Sequence, residues 1–127
     1  MNFGKAKRIF VVDDDMMMRE AMLDVLTRTV PHKVSVFSTG EECLKHIGEG
    51  VDVIVLDYQL NSVQKDAANR MEILETIKKY YPNVKVIMLS SQERYAVAMQ
   101  TIQKGAEQYV IKDEKAFQQV ADMINEF

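Results

Sequence analysis

The sequence predicts an α/β three-layer sandwich: one five-stranded parallel sheet with helices on both faces. Three observations predict it. Five short runs rich in Val and Ile recur along the chain, a helical pattern follows each of them, and three of the runs are almost continuously apolar. Strict alternation of short strands with helices builds βαβ units and a parallel sheet. Strands covered on both faces lose the in–out alternation of a half-exposed strand and read as unbroken apolar runs.

Each element follows in order. RIFVV (Arg8–Val12) is the first strand, and Asp15–Thr29 the first helix, with Met18, Met22, Val25 and Leu26 at helical spacing ahead of Pro31. KVSVF (Lys33–Phe37) is the second strand, followed by a short helix over Glu41–Ile47 that stops at Gly48. The third strand is VDVIVL (Val51–Leu56). A helix over Met71–Tyr81 then carries Ile73, Leu74 and Ile77 and stops before Pro82. VKVIMLS (Val84–Ser90) is the fourth strand. The next helix, Gln92–Lys104, carries Tyr95, Ala98, Met99 and Ile102, with Gly105 placed to end it. QYVIK (Gln108–Lys112) and a helix over Lys115–Phe127, with Phe117, Val120, Ala121 and Ile124, close the pattern. Right-handed crossovers leave few topologies, and for five strands the flavodoxin-like order 2-1-3-4-5 leads.

At 127 residues the chain is sized for one domain, able to bury a core without disulfides or a structural metal. No linker or low-complexity tract divides it, so residues 1–127 are expected to form a single domain, with no output domain within them. Its 16 basic and 19 acidic residues are scattered, giving a net charge of −3. That pattern argues against a nucleic-acid arm or an anionic-membrane patch. The N-terminal apolar run is too short for a signal peptide, and no stretch approaches the roughly 18 apolar residues of a membrane span. A soluble, cytoplasmic chain is expected.

Open parallel sheets bind ligands beyond the carboxyl ends of their strands, where strand order reverses. Just past the strands stand Asp13-Asp14-Asp15, Asp57, Ser90-Ser91 and Lys112-Asp113. Two carboxylates ~5 Å apart repel by about 3 kcal/mol at an effective dielectric of about 20, so a cluster of acids there demands a cation. Oxygen donors suit a hard ion, and Mg²⁺ (or Mn²⁺) fits a site that keeps waters and also binds phosphate. The lysine and hydroxyl of the neighbouring strands add a positive charge and a donor, which together describe a pocket for a phosphoryl group beside a metal.

IFVVDDD, VIVLD, VIMLSS and GAEQYVIK, in this order at the strand ends from about Lys7 to Phe127, resemble the signature blocks of response-regulator receiver domains of two-component (phosphorelay) signalling, in particular the chemotaxis-type single-domain receivers. The resemblance implies that Asp57 is the phosphoacceptor, attacking the phosphohistidine of a sensor histidine kinase or phosphotransfer protein. It implies Asp14 as a direct Mg²⁺ ligand, Asp13 as an assisting one, Asp57 itself as a third, and the backbone carbonyl of Gln59 as another. Ser90 and Lys112 would hold the phosphoryl group, and Tyr109 would be the aromatic that follows Ser90. The side chains of Gln59 and Gln92 would flank the hydrolytic water and tune phosphoryl lifetime. Such a protein is a switch that gains and loses its own phosphoryl group, not a turnover enzyme. Its fourth helix, fifth strand and fifth helix would present a face to a downstream protein or output module. The alternative is a receiver that docks partners without phosphorylation.

The family pattern is not complete. The residue four beyond Asp57 is Asn61 instead of Pro, the Gly eight beyond is missing, and about five extra residues are expected as an enlarged loop over Asn61–Asn69, with Asn69 capping the next helix. A backward continuation of that helix through Ala67 and Val63 is the competing expectation. Asp113 stands where many members have Pro, so a cis bond after Lys112 cannot be assumed. Ser91 replaces a smaller residue. Asp15 reads as a helix N-cap, Cys43 as a small buried hydrophobe, Met16-Met17-Met18 as rim and core packing, and His32 and His46 as bystanders. A haloacid-dehalogenase-type phosphatase would need Asp at Gln59, and a flavodoxin would not place three acids where FMN phosphate binds.

Overall fold

The structure is a computed structural model describing residues 5–28, 30–58, 64–91 and 95–127, with backbone alone over 64–69. Five strands, β1 (Arg8–Val12), β2 (Lys33–Phe37), β3 (Val53–Tyr58), β4 (Lys85–Ser90) and β5 (Gln108–Ile111), pair in parallel in the order β2-β1-β3-β4-β5. The helices are α1 (Met16–Leu26), α2 (Gly40–His46), α3 (Gln64–Tyr80), α4 (Tyr95–Gln103) and α5 (Ala116–Glu126), with a 3₁₀ turn over Ile47–Glu49. This is the expected doubly wound sandwich.

The pleat divides the core in two. Phe10, Val12, Ile54, Leu56, Val86 and Met88 face Cys43 of α2 and Ile73, Leu74 and Ile77 of α3. Ile9, Val11, Val53, Val55, Ile87 and Leu89 face Met22 and Leu26 of α1 and Val120 and Ile124 of α5. Both faces of β1, β3 and β4 are therefore dry, which is why their sequences do not alternate. Each fully buried aliphatic side chain contributes about 1.5–3 kcal/mol relative to exposure.

Local chemistry fixes the ends. Asp15 caps α1 by accepting from the backbone N–H groups of Met17 and Met18, as the N-cap reading expects. Gly105, at φ 111°, closes α4: its own N–H reaches the Ile102 carbonyl and that of Ala106 reaches the Thr101 carbonyl. Lys78 on α3 donates to the carbonyls of Pro82 and Val84 and to Glu107 Oε2, while Glu107 Oε1 accepts from Val86 N. This strut ties the end of α3 to the start of β4 and the entry of β5.

Two expectations are corrected. The predicted third strand, Val51–Leu56, lies two residues further on, because pairing with β4 continues past the last aliphatic residue through Asp57↔Leu89 and Tyr58↔Ser90. Val51 packs at the core's edge instead, and Asp52 accepts from Arg8 N. The second correction concerns the loop expected over Asn61–Asn69. α3 begins at Gln64, so Asn69 lies within the helix and is not its cap. The segment QKDAANR contains neither Gly nor Pro and several strong helix formers, and it extends the apolar-faced helix behind it. Residues 61–63 lie outside the described residues.

Candidate functional site

β1 and β3 are neighbours, and their carboxyl ends bring three acids together. Asp13 leaves β1 with its backbone N–H bonded to the Phe37 carbonyl. Its Oδ1 accepts from Asp15 N at 2.9 Å, and its carbonyl accepts from Arg19 Nη1 at 2.7 Å. That turn buries Asp13 and leaves Asp14 exposed. Asp57 stands inside β3, not at the start of a loop, and is only 1% exposed. One carboxylate oxygen from each of Asp13, Asp14 and Asp57 lies within 4.8 Å of the others.

Lys112 answers part of this charge. Its backbone N–H bonds to the Ser90 carbonyl at 2.7 Å, which locks the end of β5 beside β4 and aims the side chain at the acids. Nζ lies 2.5 Å from Asp57 Oδ1 and 3.6 Å from Asp13 Oδ2. That contact makes Oδ1 the ion-pair partner of Lys112, while Oδ2 has no hydrogen-bond donor among the described residues. Burial, and then the charge of Asp13, push the Asp57 carboxyl up to about 6 against the pull of Lys112 and Arg70. Burial also raises Asp13, opposed by the Asp15 N–H and Lys112. Two acids raised together beside one lysine are under-compensated.

The other expected residues fall around this centre. Ser90 is fully buried at the end of β4, opposite Tyr58. Tyr109 on β5 is half-buried and packs against the core layer of α2 and α3. Gln59 and Gln92 lie outside the described residues. Ser91 is exposed, and the Lys112–Asp113 peptide is trans. Cys43 is fully buried, its thiol pushed up to about 12 by desolvation, in keeping with an inert core residue. Met16 and Met17 are exposed and Met22 is in the core.

Neither histidine joins the site, but neither is idle. His32 Nδ1 accepts from Lys7 N at 2.9 Å, and Nε2 lies 3.1 Å from Asn125 Oδ1. His46 pairs with Glu49 and stacks on Phe37.

Sequence reasoning gave Arg70 no role. It is 8% exposed on α3, and its charge acts on Asp57. Its position three and four residues before Ile73 and Leu74 was the available signal, because that spacing puts an arginine on the helix's apolar face.

The donor set fits a hard divalent cation. Three carboxylates converge, Asp57 Oδ2 is free of hydrogen bonds from described residues, and hard oxygens suit Mg²⁺. The acidic crevice, the reversal of strand order beneath it and the lysine across it define a receiver of two-component signalling. The family model for the response regulator receiver domain matches residues 9–125, and the chain belongs to that family. Receiver domains are signalling switches that bind Mg²⁺ in this acidic pocket, are phosphorylated on an aspartate and interact with histidine kinases and output domains.

Among individual relatives, the chain is 25% identical over 107 residues to the chemotaxis protein CheY of Thermotoga maritima, covering 84% of this chain and 85% of that one. A CheY-like receiver domain protein of Methanospirillum hungatei superposes with a TM-score of 0.80 at 24% identity, over 96% and 93% of the two chains. The BeF3-activated DrrB receiver domain does so with a TM-score of 0.78 at 25% identity, over 95% and 96%. Among the described residues no helix is long and apolar enough to cross a membrane.

Proposed function

We propose that the chain acts as a single cytoplasmic receiver module whose phosphoacceptor is Asp57. The observation that carries this is Asp57 itself: a buried strand carboxylate grouped with Asp13 and Asp14, with Oδ1 paired to Lys112 and Oδ2 without a donor among the described residues. A carboxylate oxygen of Asp57 attacks the phosphorus of a phosphohistidine on a sensor kinase or phosphotransfer protein. The O–P bond forms as the P–N bond breaks, and the imidazole leaves with a proton. Asp13, Asp14, Asp57 and the Gln59 carbonyl would hold Mg²⁺ or Mn²⁺, which supplies Lewis-acid stabilisation of the transferring phosphoryl oxygens.

Lys112 and Ser90 take the phosphoryl oxygens in the product, and Tyr109 follows Ser90. Gln59 and Gln92 tune the lifetime of the aspartyl phosphate. The module turns over no external substrate. Its output face is α4–β5–α5, where Tyr95, Met99 and Ile102 are exposed for a downstream protein or output module. Phosphorylation shifts the population of that face.

The test is acetyl phosphate with Mg²⁺, followed by intact mass spectrometry. One added phosphoryl group on the wild type, absent from Asp57→Asn and absent in EDTA, is expected. A gain that survives Asp57→Asn moves the acceptor elsewhere and sinks the proposal.

A further inference from the structure

Arg70 is a buried cation with an unmet donor. Its Nη1 is shielded from solvent and has no hydrogen-bond partner among the described residues. A guanidinium does not shed its charge on burial, so this donor can be satisfied only by an acceptor brought to it. The cost of such an orphan is of order 1–3 kcal/mol or more. A solvated position for an arginine lay two residues away on the same helix, where Glu72 is exposed.

The surroundings narrow the acceptor. Arg70 lines a pocket of about 170 Å³ with Asp14, Thr39, Gly40, Glu41 and Ile73, so it borders the acidic crevice at Asp14. One carboxylate oxygen of Asp14 lies within 4.8 Å of one of Asp57, so the pocket that Arg70 and Asp14 share opens beside the acceptor. Asp57 Oδ2, which Lys112 does not contact, and the Arg70 Nη1 donor are both without a hydrogen-bond partner among the described residues. Neither reaches the other directly. An acid that gains a tetrahedral oxyanion on its carboxylate oxygen extends its acceptors outward by about one P–O bond and adds three oxygens.

We propose that Arg70 is a second phosphoryl-binding cation of this site, donating Nη1–H to an oxygen of phosphorylated Asp57 from the α3 side while Lys112 serves the β5 side. The inference rests on Asp57 being the acceptor. It makes an asymmetric demand: a fixed positive charge at this place repels Mg²⁺ from the unmodified acids and attracts the phosphoryl group. A residue that merely packed α3 against the sheet would affect both ligands in one direction.

The experiment measures two affinities: Mg²⁺ for the unphosphorylated protein, and beryllofluoride, a phosphoryl analogue, at saturating Mg²⁺. Wild type, Arg70→Gln and Arg70→Lys are compared, with thermal melting as a check of folding. In Arg70→Gln, Mg²⁺ binding is expected to tighten about threefold and beryllofluoride binding to weaken on the order of tenfold. Arg70→Lys keeps the charge and stays within about threefold of wild type for both. If Arg70→Gln does not fold, Arg70→Met keeps an apolar stem and takes its place. Affinities that fall together, or that do not change, overturn the proposal. A wild type that takes no beryllofluoride overturns the acceptor assignment itself, a result recognisable without any Arg70 variant.

Discussion

Removing the charge of Asp57 is expected to stabilise the metal-free protein at neutral pH. The folded-state carboxyl titrates at about 6 against an ordinary value of 3.8, a rise of about two pH units. At ~1.36 kcal/mol per unit this is a penalty of about 3 kcal/mol on the ionised, folded form. A raised carboxylate pKa means the folded chain holds its proton longer than the unfolded chain. The associated stability is fully present below the unfolded value near 3.8 and is lost as pH rises through about 6. Asp57→Asn abolishes this loss, but it also strips Lys112 of its nearest carboxylate. The raised value already includes the pull of Lys112, so the net gain expected at pH 7 is about 3 kcal/mol. Urea unfolding followed by circular dichroism in EDTA, from about pH 4.5 to about pH 7.5, measures it. The wild type should lose stability across this window more steeply than Asp57→Asn. If Asp57→Asn is the less stable protein at pH 7 in chelator, or if the two pH slopes coincide, burial has not raised this acid.

Three further outcomes follow from the packing. Lys78→Met removes the strut to Glu107, Pro82 and Val84, and should cost about 2 kcal/mol in chemical unfolding while leaving acetyl-phosphate labelling intact. Gly40→Ala sets a methyl 2.6 Å from Ile73 Cγ1, so a loss of about 1–3 kcal/mol is expected and should shrink in an Ile73→Ala background, which removes that carbon. Asp15→Ala should lower stability by about 1 kcal/mol through the lost cap and change Mg²⁺ affinity by less than about twofold. A large loss of metal binding in that variant would make Asp15 a ligand.

The fold was readable because parallel strands buried on both faces leave a dense signal. Ile9 and Val11 serve one layer and Phe10 and Val12 the other, so the whole run must be apolar. Ends were less readable where backbone pairing outlasts hydrophobicity. β3 carries Asp57 and Tyr58 because β4 continues beside it, a fact about the partner strand that the local sequence does not contain. The start of α3 was missed for the opposite reason. A polar segment without turn residues reads as a loop when only apolar periodicity is counted, although its residues favour helix. The acids and Lys112 were legible because topology alone sends strand ends to one crevice. Arg70 was not, since a lone arginine in a charged helix is ordinarily solvated, and only its burial distinguishes it.

The charge balance at the crevice links these observations to the proposed switch. Lys112 now contacts Asp57 and lies within 3.6 Å of Asp13, so one cation is shared by two buried acids. A divalent ion held by Asp13 and Asp14 takes over the compensation of Asp13, which leaves Lys112 to the acceptor alone. On the proposed reaction, the acceptor then acquires a larger charge placed further out, and Lys112 must follow it. Lys112 cannot move as an isolated side chain without consequence. Its backbone N–H is bonded to Ser90 at the β4–β5 seam, and the next strand residues toward α4 and the output face are Ile111, Val110 and Tyr109. The same few hydrogen bonds that aim the lysine at the acids therefore join the phosphoryl site to the surface proposed to read it. A site kept under-compensated at rest gives both a metal and a phosphoryl group differential binding energy, and a two-state switch can be shifted only by such a difference.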